Sequence, residues 1–273
     1  RHYLQLDDNE YGLLDMVTSR FDKVIVVLNT LTSFQCDFIE EYNNTLTDKR
    51  IDAVLWIGGP GKNGAEAFGA ILNGDVNPSG KTVDIYAKDF TKDPTWVNFG
   101  DNSQVAGGNP NTAYMSTETD SLSGGVYNMV TYEEGVYLGY RYYETRAFVE
   151  EDPDWYSKNV MFPFGYGLSY STFKREITSV EGSLENGGSI TVNVKITNVS
   201  GPAGKDVAQL YVSKPYIENG IEKSHIELVD FAKTDLLAKD GHNEFSFKVD
   251  AYDLASYDYM DENKNGHKGY ELD

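Results

Sequence analysis

Near residue 174 the hydrophobic period of this chain changes from a mixture of helical stripes and unbroken apolar runs to strict alternation. One layer arrangement cannot bury both patterns, so two packed units are expected. Before the change, Val24-Ile25-Val26-Val27-Leu28 is a continuous run ended by Asn29. Such a run predicts a parallel strand buried on both faces. Ile51 to Ile57 predicts the next strand, stopped by Gly58-Gly59-Pro60-Gly61. Helical stripes lie between and around them. Leu13, Leu14, Val17 and Phe21 follow an Asp7/Glu10 capping box, and Phe34, Phe38, Ile39 and Tyr42 form a second stripe. Phe68, Ile71 and Leu72 follow an Asn63/Glu66 box and stop at Gly74. Strand and helix in alternation imply an α/β unit.

After the change, Ile190, Val192, Val194 and Ile196 alternate with polar residues. Ala208, Leu210 and Val212 repeat the pattern, as do Phe245, Phe247 and Val249, with turn-rich stretches between them. One buried face per strand and short turns predict an antiparallel β-sandwich. Between about residues 101 and 130 periodicity fades into Gly, Asn, Ser and Thr, which predicts a long surface excursion. The 273 residues suffice for two cores of ordinary size.

Charge narrows the partners. Forty-three acidic residues against 23 basic ones give a net charge of -20, which opposes nucleic acid and anionic headgroups. No apolar run reaches the roughly 18 residues of a membrane span. A single Cys36 between Phe34 and Phe38 reads as a packed small side chain. The compartment is not legible.

Several motifs invite chemistry and read more simply as structure. Gly74-Asp75-Val76-Asn77-Pro78-Ser79-Gly80-Lys81-Thr82 suggests a phosphate loop, but five residues separate the glycines where four are required, and it follows a helix instead of a strand. A helix stop, a Pro turn and a strand over Thr82 to Tyr86 are expected there. Asp261-Glu262-Asn263-Lys264-Asn265-Gly266 matches half of a calcium loop, but Glu271 comes one position early, so a solvated hairpin turn is expected. His2, His225, His242 and His267 lack metal-ligand spacing. Asn43 and Asn198 begin formal glycosylation triplets and are given no role. Glu133-Glu134 and Glu150-Glu151-Asp152 could supply the carboxyl pair of a glycosidase, yet adjacent acids in so acidic a chain read as solvated charges.

Four segments in order carry a resemblance. Ile51 to Gly61 ends in a Trp and a Pro-Gly turn, and Gly74 to Lys81 reads Gly-Asp-Val-Asn-Pro-Ser-Gly-Lys. Tyr132 to Tyr143 reads Tyr-Glu-Glu-Gly-Val-Tyr-Leu-Gly-Tyr-Arg-Tyr-Tyr, and Phe162 to Tyr170 reads Phe-Pro-Phe-Gly-Tyr-Gly-Leu-Ser-Tyr. Together they resemble family 3 glycoside hydrolases of the β-glucosidase type. Ala203 to Val212 and Asp253 to Asp258 resemble the fibronectin-III-like domain that accompanies the sandwich in many members. Pro60-Gly61-Lys62-Asn63-Gly64 departs from the commoner Pro-Gly-Gln-Glu-Gly.

The resemblance implies a three-layer α/β sandwich over residues 1–173, followed by a fibronectin-III-like β-sandwich over 174–273. It implies the non-barrel part of a retaining hydrolase of β-linked glucosides or xylosides, packed against a catalytic barrel and without cofactor or metal. The nucleophilic Asp is expected on that barrel, and the acid/base Glu just before Arg1, so no catalytic residue is expected in this chain. Both ends are expected to be cut short. The alternative is a non-catalytic carbohydrate-binding or scaffolding module. Trp56, Lys62 and Asn63 are the candidate sugar-binding residues, because ligands sit at the C-terminal ends of strands in α/β sheets. For Trp56, a place in the core at the strand end is the other reading.

Overall fold

The computed structural model describes residues 4–45, 50–98, 115–119, 126–128, 132–215 and 217–272. Helix α1 (Asp8–Thr18) starts where Asp7 accepts from the Glu10 N–H and Glu10 accepts from the Asp7 N–H, both at 2.8 Å. The predicted capping box is therefore formed. Strand β1 (Ile25–Leu28) pairs in parallel with β2 (Ala53–Trp56), Leu28 opposite Trp56. Between them lie a single helical turn α2 (Phe38–Glu40) and a π-helical turn over Glu41–Thr45. Helix α3 (Gly64–Asn73) follows and ends on Gly74 at φ 83°, a left-handed cap that glycine takes without strain.

Leu6, Leu14, Leu28, Cys36, Phe38, Tyr42, Ile51 and Tyr86 form the first core. Burial pushes the Cys36 thiol up to about 12, as a packed side chain requires. The strands are not buried on both faces, contrary to expectation: Ile25 is 50% exposed and Val27 37%, whereas Leu28 is buried. Among the described residues nothing covers the second face of β1. The stripe on α1 differs for the same reason. Leu14 and Thr18 are buried while Leu13 and Phe21 stay in water. The Asn63/Glu66 box is absent, since the Asn63 side chain caps nothing and Glu66 N–H donates to the Asn63 carbonyl instead.

Strand β3 is only Tyr86–Ala87, shorter than the predicted Thr82 to Tyr86, and a short helix α4 (Pro94–Asn98) follows. The predicted excursion near 101–130 lies outside the described residues, apart from β4 (Met115–Thr119) and β5 (Val126–Asn128), which pair antiparallel. Helix α5 (Tyr140–Val149), helix α6 (Trp155–Asn159) and strand β6 (Val160–Phe162) come next, β6 antiparallel to β3. Ile85, Ala87, Tyr143 and Val160 make the second core.

From here all strands pair antiparallel. Strand β7 (Thr172–Ser183), β8 (Ser189–Ser200) and β11 (His242–Asp250) form one sheet in the order β11-β8-β7. Strands β9 (Val207–Ser213) and β10 (Ile226–Lys233) form another, and β12 (Ser256–Asp258) pairs with β13 (Gly269–Glu271). The alternation read from the sequence is the burial pattern: Val192, Val194, Ile196, Ala208 and Phe247 make the third core. The molecule is an α/β unit followed by a β-sandwich. Asp261 to Gly266 lie in the turn between β12 and β13, where Gly266 N–H donates to Asp261 at 3.0 Å.

Candidate functional site

The parallel pair β1–β2 ends in two loops that form a crest. Trp56 closes β2, and its indole N–H donates to the Thr30 carbonyl of the opposite loop at 2.8 Å. That bond fixes the ring across the crest while leaving it 39% exposed, so Trp56 is not core. Gly58, at φ 58°, lies under the indole, where a Cβ would stand 3.5 Å from Cζ2. Leu31, 81% exposed, extends the apolar surface beside it. Lys62 and Asn63 are both exposed in the turn that enters α3. An aromatic face, an ammonium and a free amide thus share one end of the sheet. This combination can stack on a sugar ring and bond its hydroxyls.

The segment with a phosphate-loop look does something else. Asn77 Nδ2 donates to Ser171 Oγ at 2.9 Å and to the Ala203 carbonyl at 3.2 Å, while Asn77 Oδ1 accepts from Ser169 Oγ and the Tyr170 N–H. Lys81 Nζ donates to the Gly167 carbonyl at 2.6 Å and pairs with Asp206 at 3.4 Å. Arg175 approaches the other Asp206 oxygen at 2.6 Å, without hydrogen-bond alignment. Gly167 lies so near Gly80 that a Cβ there would stand 2.1 Å from its carbonyl oxygen. The segment clasps the α/β unit to the β-sandwich. Its Asn77 and Lys81 side chains are spent on protein atoms.

Two of the acidic candidates sit in surface ion pairs. Glu150 pairs with Arg146 at 2.5 Å and Asp152 with Lys158 at 2.6 Å. The Lys158 hydrogen bond holds the Asp152 carboxyl below its ordinary range, the opposite of what a proton donor needs. Glu133 is exposed and Glu134 half-buried. Burial pushes Asp84 upward, but the residue remains exposed. Among the described residues no three of His, Cys, Asp or Glu gather to hold a metal, and no helix is long and apolar enough to cross a membrane. His225 stacks on Phe148 with centroids 3.8 Å apart, a packing role that spacing alone did not reveal.

Residues 1–140 match the family described as Glycosyl hydrolase family 3 C-terminal domain, and residues 206–265 match the Fibronectin type III-like domain. A beta-glucosidase of Ruminococcus albus is 30% identical over 253 residues, covering 93% of this chain and 22% of the relative. The structure of a beta-glucosidase from Paenibacillus barengoltzii superposes with a TM-score of 0.75 at 31% identity, covering 96% of this chain and 24% of that one. Beta-glucosidase 3B from Thermotoga neapolitana gives a TM-score of 0.70 at 29% identity, covering 93% and 30%. The chain therefore spans less than a third of the length of these relatives.

Proposed function

We propose that this chain, which belongs to glycoside hydrolase family 3, forms the non-barrel part of a retaining enzyme that hydrolyses β-linked glucosides or xylosides. The half-exposed Trp56, tethered at the C-terminal end of a parallel sheet, carries the reading. The ring is held in place and left in water, as a wall of a sugar pocket must be. Lys62 and Asn63 add hydrogen-bonding groups to the same wall. The beta-glucosidase relatives support the substrate class.

In a retaining mechanism one carboxylate attacks the anomeric carbon while a second carboxyl protonates the leaving oxygen, then activates water to release the glycosyl-enzyme. We place both carboxyls in the length of the relatives that this chain does not span. The chain contributes binding, position and exclusion of water. We also place the boundary between its two units at residues 173/174, at the start of β7. The uncovered face of β1 fits this reading, because strands in parallel sheets are ordinarily covered on both sides.

The test is substitution of Trp56 in the barrel-containing enzyme. Trp56→Ala is expected to raise KM for an aryl β-glucoside about 10-fold with little change in kcat, as lost uniform binding does. Trp56→Phe should recover most of it. Unchanged KM in Trp56→Ala would remove the residue from the pocket.

A further inference from the structure

The four-residue spacing of Tyr140 and Glu144 puts both on one face of α5. Alternation along β9 buries Ala208 and turns Gln209 and Tyr211 to the outer face of the sandwich. These two faces meet at the junction of the units. With Phe164 and Ile226 they line a cavity of about 170 Å³. At roughly 30 Å³ per water that is room for about five or six waters.

We propose that this junction cavity is a binding site for one neutral polyhydroxyl molecule, a monosaccharide or smaller polyol. Its walls are aromatic: the Tyr140 and Phe164 ring centroids are 4.8 Å apart, and Tyr211 presents its edge to Tyr140 at 6.1 Å. The polar groups are placed sparingly and are complementary in kind. Tyr211 O–H donates to Gln209 Oε1 at 3.0 Å, which leaves the Gln209 amide hydrogens for a ligand. Tyr140 oxygen accepts from the Leu228 N–H at 2.9 Å, which leaves its own hydrogen for donation. The Glu144 carboxylate is the acceptor. It also stands close enough to Tyr156 to help burial push that phenol up.

A sugar or polyol hydroxyl both donates and accepts, so neighbouring hydroxyls can serve Glu144 and the Gln209 amide at once, while C–H groups rest on the ring faces. An anion would meet Glu144 and a chain of net charge -20. A divalent cation would find one carboxylate where oxygen cages supply several. Each lining residue is half-buried, so the cavity walls still meet solvent. Domain junctions of this kind are common sites for small ligands. The inference does not depend on the proposed hydrolase and stands or falls separately from Trp56.

The experiment is titration of this chain with D-glucose, D-xylose and glycerol, followed by ligand-observed NMR and calorimetry. Saturable binding of at least one is expected. It should be abolished by Ile226→Phe, which fills the cavity, and weakened about 10-fold by Glu144→Gln, which loses a charge-assisted hydrogen bond. Trp56→Ala should leave it unchanged. If Ile226→Phe does not fold, Glu144→Gln decides. The proposal is overturned by the absence of saturable binding at tens of millimolar, by binding that survives Glu144→Gln intact, or by binding lost in Trp56→Ala.

Discussion

Asn198 has the triplet of a glycosylation acceptor and is fully buried. Its Nδ2 donates to the carbonyls of Pro202 at 2.9 Å and Leu237 at 3.0 Å, and its Oδ1 accepts from the Ser200 N–H at 3.2 Å. One side chain thus holds the turn after β8 against the strand-like bridge of Gly204 and Leu237. Asn198→Ala would remove these three hydrogen bonds while Pro202 keeps Ser171 Oγ and Leu237 keeps the Gly204 N–H as donors, so a loss of about 1–2 kcal/mol is expected in urea unfolding. A change below about 0.5 kcal/mol would mean that water replaces the amide. Asn43 is engaged in the same manner, its amide bracketing the backbone N–H and C=O of Ile51. Neither role was legible, because a triplet records neighbours in sequence and these partners are fixed by folding. Cys36 was legible, since flanking Phe residues already describe an apolar site.

At the scale of elements, the segments that read correctly are those whose pattern answers to local physics. The Asp7/Glu10 cap, the Gly74 stop and the alternation of β8, β9 and β11 each need only near neighbours or one buried face. Strand β1 was over-read. A continuous apolar run predicts two covers, and here one is absent among the described residues. The Gly74 to Lys81 segment was identified as a helix stop and turn, but its role as a clasp depends on Ser171, Gly167 and Asp206, far away in sequence. Asp206 is 1% exposed and Lys81 15%, with Arg175 half in water. Asp206→Ala leaves Lys81 without its counter-charge, and about 2–3 kcal/mol of stability should go, less than for a wholly buried pair because Arg175 is solvated. Thermal unfolding of the variant checks this. An unaltered melting curve would show that the other contacts across the junction, such as Asn77 with Ala203 and Leu228 with Tyr140, hold the units together without Asp206.

At the scale of the molecule, the two units carry a crest with a tethered, half-exposed Trp56 and a clasped junction. Trp56 was legible as a candidate because strand ends mark ligand positions in α/β sheets; its exposure and its bond to Thr30 required the fold. The junction cavity escaped the sequence altogether, since α5 and β9 lie more than fifty residues apart. The exposed Ile25, Val27 and Leu31 give the α/β unit a surface that fits a larger protein better than it fits water. The most direct measurement is hydrolysis of aryl β-glucoside and β-xyloside by this chain alone, beside the barrel-containing enzyme proposed above. Turnover by the whole enzyme and none by the chain is the predicted result. Turnover by the chain itself would contradict the account, because a carboxyl pair assigned here to surface ion pairs would then be catalytic.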